Sequence, residues 1–290
     1  MTKKMPTSSA PAPDSSLPDA ASPVTQDPWA ELRRFTDARI GLGRCGTSLP
    51  VAHWLAFRLA HARARDAVLT PLDSDKLRNM LKQQGIESLH LSSAVRDKQE
   101  FLTRPDKGRR LSPESRRVLD AYRENHPSCP SADLCLVVSD GLSARAIHEN
   151  AVPFITLFLN RAHAAGLTCS PVVVVENGRV AAGDEIAARL GARLVVVLIG
   201  ERPGLSSPNS LGVYMTYAPA PGCTDEARNC ISNIRSGGLS TEEAVRKLCY
   251  LVEQAFAGQF SGVRLKDDMP DNYLPFTHPL HLEPGPADNN

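Results

Sequence analysis

The residues best placed to do chemistry in this sequence follow a short apolar run near position 200. Leu194 to Ile199 are six consecutive apolar residues, rich in β-branched side chains, and Gly200-Glu-Arg-Pro-Gly204 ends the run. Such a run is typical of a strand that is covered on both faces, as in parallel sheets. Small molecules bind outside the carboxyl ends of such strands. The sequence therefore predicts that Glu201 offers a carboxylate to a ligand.

Two other segments have residues that could bind a phosphate group. Ser139-Asp-Gly-Leu-Ser143 follows a predicted strand, so its N–H groups and hydroxyls could meet a phosphate at the start of the next helix. A tight turn with Ser143 as the helix cap is an equal alternative. Arg104-Pro-Asp-Lys-Gly-Arg-Arg110 holds four cations in seven residues. This segment suits a phosphate or an acidic partner surface, and a solvated loop explains it as well.

A glycine pattern near the N-terminus matches a nucleotide-binding motif by letters alone. Gly41-Leu-Gly-Arg-Cys-Gly46 reads G-x-G-x-x-G. That motif works between a strand and a helix, whereas a helical pattern precedes it here. We therefore predict an ordinary loop between two helices, in which glycine supplies unusual φ values.

No residue set for covalent or metal catalysis stands out. The eight histidines include no H-E-x-x-H pair, and His278 and His281 lie among prolines that would not preorganise a metal site. There is no G-x-S-x-G elbow, and Cys230 has no base nearby in the sequence. We predict neither catalytic residues nor a protein-ligated metal in this chain. The reactive chemistry would belong to something that the chain binds.

Composition narrows the class of protein. The chain has 290 residues, 42% of them hydrophobic, and a formal net charge of +1. This near-neutral charge argues against electrostatic capture of nucleic acid or of an anionic membrane. The longest apolar runs are shorter than the ~20 residues that span a bilayer, and the polar N-terminus has no signal-peptide region. Seven cysteines without a C-x-x-C pair indicate reduced thiols. We predict a cytoplasmic protein.

The order of apolar and helical patterns predicts an α/β fold with a doubly wound, mostly parallel sheet and flanking helices, preceded by an N-terminal helical lobe. Strands separated by helices imply right-handed crossovers, hence parallel pairing. The predicted regions are a disordered tail (1–27), the helical lobe (28–125), an α/β ligand-binding domain (126–265) and an irregular C-terminal tail (266–290). Strands are predicted at 133–138, 172–175, 194–199 and 211–217, and helices at 28–40, 50–69, 73–84, 143–166 with a break near Pro153, 184–190 and 240–258.

Four segments resemble the small (light) subunit of ethanolamine ammonia-lyase. They occur in the order of that family, cover roughly residues 27–265, and are more specific together than a lone glycine pattern. Neither tail is covered. The segments are Phe101-Leu-Thr-Arg-Pro-Asp-Lys-Gly-Arg-Arg-Leu111, Val138-Ser-Asp-Gly-Leu-Ser143, Gly200-Glu-Arg-Pro-Gly-Leu205 and Asn229-Cys-Ile-Ser-Asn-Ile-Arg235.

The resemblance implies an adenosylcobalamin-dependent lyase that converts ethanolamine to acetaldehyde and ammonia. Its large (heavy) subunit is a TIM barrel that builds the substrate pocket, and the cofactor lies between the subunits of the hetero-oligomer. The small subunit then holds the lower face of the corrin. The family's cobalamin contacts fall on Val180, Glu201 and Cys230 of this sequence. Family members can enter a bacterial microcompartment, but residues 1–27 lack the amphipathic segment associated with entry.

The histidines also bear on how cobalt would be ligated. None of the eight is preceded two positions earlier by aspartate, so the D-x-H motif that replaces the lower axial base is missing. The resemblance therefore predicts that dimethylbenzimidazole stays on cobalt. Two other classes remain open: a stand-alone α/β nucleotide-binding protein that uses the Ser139 and Glu201 turns, and a basic interaction module that uses Arg104 to Arg110.

Overall fold

A computed structural model describes residues 22–126 and 132–277 of the chain. Most of the predicted N-terminal tail, Cys129, His278 and His281 lie outside the described residues. Residues 266–277 form turns and irregular backbone. Contacts between residues divide the chain into two compact units, with the boundary between Arg58 and Leu59.

The smaller unit is built from short helical segments joined by the glycine loop. A 3-10 helix, Pro28–Phe35, begins where the Asp27 carboxylate accepts a hydrogen bond from the Trp29 N–H, with proline at the first helical position. Helix α1, Val51–Leu69, starts in this unit and continues past its boundary. Between them, Gly41, Gly43 and Gly46 have φ values of 56°, 73° and 61°. The prediction of an ordinary loop with unusual glycine φ values is confirmed.

The larger unit contains a six-stranded sheet in the order β1-β3-β2-β4-β5-β6. The first four strands in this order pair in parallel, and β5 and β6 add antiparallel pairs at one side. The predicted α/β fold with a mostly parallel sheet is confirmed. The strands are β1 Ser88–Ser92, β2 Leu134–Ser139, β3 Val172–Glu176, β4 Leu194–Gly200, β5 Leu211–Tyr217 and β6 Arg228–Ile234.

Helices cover both faces of this sheet because side chains alternate along each strand. In β4, Val196 and Leu198 pack into a core shared with two long helices, while Val195 and Val197 pack on the opposite side. No described helix has the length and apolarity that a membrane span requires. Besides α1, the helices are α2 Ser74–Gln83, α3 Lys98–Thr103, α4 Pro105–Gly108, α5 Pro113–Asn125, α6 Ala144–Ala164, α7 Ala182–Leu190 and α8 Thr241–Gly258; 3-10 turns occur at Asp225–Ala227 and Gly262–Arg264.

The main differences from the predicted elements are two strands and one helix break; in addition, the helix predicted at 28–40 is a 3-10 helix that ends at Phe35. Strand β1 lies inside the stretch predicted to be helical, and β6 was not predicted, since both are edge strands with many polar residues. Helix α6 runs without a break through Pro153. Burial of Phe154 and Phe158 offsets the hydrogen bond that proline removes, because most helical stability comes from packing of the apolar face.

Candidate ligand crevice at the carboxyl edge of the sheet

A crevice of about 340 Å³ opens beside the carboxyl end of β4. Glu201 follows this strand directly, and Val180 lies two residues before α7. Parallel strands end at the same sheet edge, so these distant parts of the sequence come together there. We call this feature the Glu201 crevice. It is lined by Phe101, Gly141, Leu142, Arg179, Val180, Ile199, Gly200, Glu201, Arg202 and Tyr214.

The Glu201 carboxylate is held in a fixed orientation. Its Oε2 accepts hydrogen bonds from Ser210 Oγ at 2.5 Å and from the Asn233 N–H at 3.2 Å. A Cβ at Gly212 would lie 3.0 Å from Oε1, so glycine at that position leaves room for the carboxylate. None of the described residues donates a hydrogen bond to Oε1. One carboxylate oxygen thus remains able to accept a bond from a ligand.

Cys230 does not line the crevice itself, but it lies opposite Tyr214, which does. The two residues are directly opposite each other in the β5–β6 pairing. Partial desolvation raises the pKa of Tyr214 to about 12, and it also raises the pKa of the Cys230 thiol, although Cys230 as a residue is exposed. Both groups stay protonated near neutral pH. Since the thiolate is the nucleophile, Cys230 is poorly suited to covalent catalysis.

Tyr214 is a crevice residue that sequence reasoning missed, although the sequence carries a signal for it. In strand β5, Leu211, Val213 and Met215 alternate with their neighbours and pack into the core on one side of the sheet. That alternation places Tyr214 on the opposite side, where it packs with the second core. Because Tyr214 lies between two core residues of this strand, its position on the side of the Glu201 turn could have been predicted from the alternation.

The crevice lies next to an edge of the sheet. Strand β6 forms this edge and buries only Arg228, Ile231 and Ile234 of its seven residues. Cys230, two residues from Arg228, is exposed. An open strand edge beside a crevice is a surface that another chain or a large ligand can cover.

The turn after β2 does not offer a phosphate site. Ser143 caps α6 by accepting a hydrogen bond from the Ala146 N–H at 3.2 Å, as the tight-turn interpretation predicts. Asp140 is buried in the same turn, where its carboxylate binds Lys98 Nζ at 2.8 Å and accepts the Asn177 N–H at 2.7 Å. A phosphate there would face this buried carboxylate. The geometry therefore does not favour a nucleotide at the turn.

The basic segment near residue 107 is partly neutralised. The Arg104 guanidinium binds the Asp106 carboxylate at 2.8 Å, and Lys107 Nζ binds Glu100 Oε1 at 2.5 Å. The Lys107–Glu100 pair fixes the short helices α3 and α4 against each other. Half of the segment's cationic charge is still free to meet an anion. Among the described residues, two of its cations have no carboxylate partner: Arg109 and Arg110.

This pairing predicts an acid-dependent loss of stability. The Lys107 hydrogen bond, and then the Arg96 N–H, lower the pKa of Glu100 from 4.5 to about 2. A depressed carboxyl pKa stabilises the folded state above the unfolded value, and this contribution is lost as pH falls through the folded value. The stability difference between the wild type and Glu100→Gln should therefore shrink as pH falls from 4.5 towards 2.

Urea unfolding midpoints between pH 6 and pH 3 would measure this difference. Glu87→Gln, at an exposed position, serves as the matched control. A Glu100→Gln difference that stays constant over the whole range would contradict the prediction.

The fold and the crevice together define the class: an α/β protein with a candidate ligand crevice at the carboxyl edge of a doubly wound sheet. Comparison with known proteins narrows this class. The family model described as ethanolamine ammonia-lyase light chain matches residues 26–266. The chain belongs to this family.

Curated relatives agree with the family match. The chain is similar to the ethanolamine ammonia-lyase small subunit of Pseudomonas syringae pv. tomato, with 52% identity over 262 residues that cover 90% of each chain. It is equally similar to the small subunit of Azotobacter vinelandii, at 52% identity over 85% of this chain and 91% of the relative. The Ralstonia nicotianae small subunit is 52% identical over 86% of this chain and 92% of its own length.

Proposed function

We propose that this chain is the small subunit of an adenosylcobalamin-dependent ethanolamine ammonia-lyase and that it holds the cobalamin against a large subunit. The observation that carries the proposal is the fixed Glu201 carboxylate, with one free oxygen, in a member of this family. The reaction converts ethanolamine to acetaldehyde and ammonia. When bound, the cofactor supplies the radical chemistry through its cobalt–carbon bond.

The crevice residues suit one edge of a corrin. Glu201 can accept hydrogen bonds from the side-chain amides of the ring, and a charged acceptor strengthens such bonds. Val180 offers apolar contact, and the neutral Cys230 thiol offers a small polarizable surface. No three His, Cys, Asp or Glu side chains in the described parts of the chain are grouped to hold a metal ion. Cobalt would therefore arrive with its own ring.

The size of the crevice supports a shared site. A volume of about 340 Å³ is at the small end of cavities that enclose drug-sized ligands. Cobalamin is much larger than such ligands, so this crevice contains only a part of it. A second protein surface is needed to enclose the rest, and the exposed edge at β6 is where we place it.

The smaller unit supports a protein partner independently. Trp29, Phe35 and Val51 are 66%, 73% and 70% exposed, and Trp54 on the same stretch is 48% exposed. So many large exposed apolar side chains within 26 residues of sequence are unusual unless a partner covers them. The relatives are named small subunits, which implies a large one. We assign these side chains to contact with the large subunit.

The same geometry divides the work between the subunits. The crevice contains a fixed acceptor, apolar walls and the protonated Tyr214 hydroxyl, and the protonated Cys230 thiol lies opposite Tyr214 on the neighbouring strand. Such residues bind, orient and exclude water, but none is an activated nucleophile or a base poised near neutral pH. We therefore place the groups that act on ethanolamine in the large subunit.

Replacing Glu201 by alanine is expected to weaken cobalamin binding. Loss of a charged hydrogen-bond partner costs about 1–3 kcal/mol, which is roughly a 5- to 150-fold rise in Kd. The measurement is a spectrophotometric titration of the coexpressed heteromer with hydroxocobalamin. Glu87→Ala removes an equal charge at an exposed position outside the crevice and should leave Kd unchanged. Equal hydroxocobalamin affinities for the wild type, Glu201→Ala and Glu87→Ala would rule out the role given to Glu201.

The function itself is tested by coexpression with a candidate large subunit. After incubation with adenosylcobalamin and gel filtration, the complex should retain the red chromophore and release ammonia from ethanolamine. An isolated chain that retains a nucleotide, with no cobalamin bound by the pair, would instead favour a stand-alone nucleotide-binding protein.

A further inference from the structure

A groove of about 500 Å³ lies at the side of the sheet farthest from β6, where α2 adjoins the start of the edge strand β1. Strand β1 has one neighbour in the sheet, β3, so its other edge is open. No residue lines both this groove and the Glu201 crevice. We call this surface the α2–β1 edge, defined by Asp75, Arg78, Asn79, Lys82, Glu87 and Ser88.

The backbone of β1 points hydrogen-bonding groups out of this open edge. In a parallel pair, alternate residues of a strand direct both their N–H and their C=O at the neighbouring strand. The Glu87 carbonyl oxygen accepts the Val172 N–H at 3.0 Å, so the odd-numbered residues from Glu87 onward face β3. The even-numbered residues Ser88 and His90 therefore direct their backbone groups away from the sheet.

Only part of this outward edge is paired within the chain. The Ser92 N–H donates to Ser115 Oγ at 2.8 Å, and the Ser92 carbonyl oxygen accepts the Ser112 N–H at 3.1 Å. The backbone groups of Ser88 and His90 have no such partner among the described residues. Two N–H and two C=O groups are thus left at the edge. An unpaired strand edge is a template for pairing with another strand.

Helix α2 presents a polar stripe beside the open strand. Four of its residues line the groove at the i, i+3, i+4, i+7 spacing that defines one face of a helix: Asp75, Arg78, Asn79 and Lys82. The leucines of α2 are buried on its other side. In the described part of the chain, no ion pair involves the charged members of this stripe. Their charges are therefore available to a partner.

The polar stripe is complementary to itself. At a two-fold axis the same surface of two copies meets, so residue i contacts residue j of the other copy and j contacts i. Two antiparallel copies of α2 that meet midway between positions 78 and 79 place Asp75 of each copy opposite Lys82 of the other. The same register places Arg78 opposite Asn79, whose amide oxygen can accept from a guanidinium. Each favourable contact is then made twice.

The strand edge fits a two-fold axis as well. Antiparallel β1 strands centred on Leu89 place Ser88 of each copy opposite His90 of the other. Such a pair exchanges both N–H···O bonds, so all four unpaired backbone groups of each copy are used. Because Ser88 lines the same groove as the polar stripe, the strand and helix contacts belong to one continuous surface.

We propose that the α2–β1 edge is a two-fold interface between two copies of this chain. The surface holds two cations and two carboxylates, so it has no excess of one sign that would repel a second copy. The two signs lie towards opposite ends of the α2 stripe, as self-complementary pairing requires. The inference does not depend on the cofactor or on the proposed function.

Sedimentation equilibrium of the full chain tests the interface. The wild type should form a dimer. Lys82→Asp places like charges opposite each other at both symmetry-related contacts with Asp75, and should raise the dimer Kd at least about tenfold, equivalent to about 1.4 kcal/mol. Adding Asp75→Lys to this variant reverses both charges and should bring Kd back to within about threefold of the wild type. A merely structural effect of Lys82→Asp would not be restored by the second change.

Lys76→Asp is the matched control, because it makes the same charge change at an exposed position of α2 that does not line the groove. It should leave the dimer Kd unchanged. Ser88→Pro tests the strand edge, since proline removes an outward N–H that bonds nothing within the described chain. This variant should also weaken the dimer about tenfold. If Ser88→Pro fails to fold, the exposed Lys82 keeps the test decisive.

Three results would overturn the interface. The first is a wild-type chain that stays monomeric. The second is a dimer with the same Kd for the wild type and Lys82→Asp, which would assign dimerisation to another surface. The third is weaker binding of the large subunit by Lys82→Asp with no dimer of the chain, which would assign the α2–β1 edge to the large subunit. Cobalamin binding is measured separately through Glu201, so each result leaves the proposed function intact.

Discussion

Replacing Arg228 by methionine is expected to destabilise the chain by about 3–5 kcal/mol, the cost of breaking a buried ion pair. Arg228 donates from Nη1 and Nη2 to the two Asp184 carboxylate oxygens, both at 2.7 Å. The two side chains are 3% and 1% exposed. The guanidinium also donates to Thr216 Oγ1 at 3.1 Å and to the Cys223 carbonyl oxygen at 2.9 Å.

The size of this effect follows from what the substitution leaves behind. Burial raises the pKa of Asp184, and the hydrogen bonds from Arg228 oppose that rise. Without Arg228 the carboxyl group either stays charged in an apolar environment or takes up a proton, and both states cost free energy. The pair also joins α7 to β6, so its loss is expected to loosen the relation between Val180 and Cys230.

Urea unfolding of Arg228→Met, Asp184→Leu and the double variant tests this account. Since each single variant leaves one buried polar partner, the double variant should lose less stability than the sum of the two. Arg145→Met is the control, because Arg145 and Glu149 form an exposed pair worth at most about 1 kcal/mol. An Arg228→Met cost no larger than that of Arg145→Met would refute the role of the buried pair.

Gly200→Ala is expected to be the second large effect, with a cost of about 3 kcal/mol. An added Cβ would lie 2.1 Å from the Ser143 carbonyl oxygen and 2.5 Å from that of Asp140. Backbone atoms cannot rotate away as the end of a side chain can, so the strand end or the neighbouring turn must move. Because Glu201 follows directly, the same shift should weaken cobalamin binding.

Gly85→Ala is the control, because it replaces a glycine without bringing the new Cβ against other atoms. Gly85 has a φ of 73°, and a Cβ there would meet nothing within 4 Å. The control should therefore cost only the backbone strain of about 1–2 kcal/mol. Chemical denaturation and hydroxocobalamin titration of both variants decide the matter. The prediction is wrong if Gly200→Ala loses no more stability than Gly85→Ala and binds hydroxocobalamin as tightly as the wild type does.

Local sequence signals predicted the centre of the sheet and the helix starts well. The run from Leu194 to Ile199 was expected to be covered on both faces, and every residue of β4 is buried. A helix is predicted at 240–258, and Ser240 Oγ accepts the Glu243 N–H at 3.2 Å at the start of α8. Such features depend on neighbours a few residues away, so the sequence contains them directly.

The edges of the sheet were harder to predict. Strands β1 and β6 carry a weak apolar pattern because one side of each is open. Their pairing depends on partners far away in the chain, such as His90 with Val174 and Cys230 with Tyr214. No local pattern predicts such partners, since register is chosen by the packing of the whole sheet.

By itself, the sequence determined the α/β class, the turn that carries Glu201 and the family to which the chain belongs. The tertiary structure decided that Val180 and Tyr214 line the same crevice as Glu201, that Cys230 lies opposite Tyr214, and that Arg179 lies beside the Arg109 segment. The physical reason is one of range. Periodicity and capping act over a few residues, whereas strand order and register bring together side chains that are tens of residues apart.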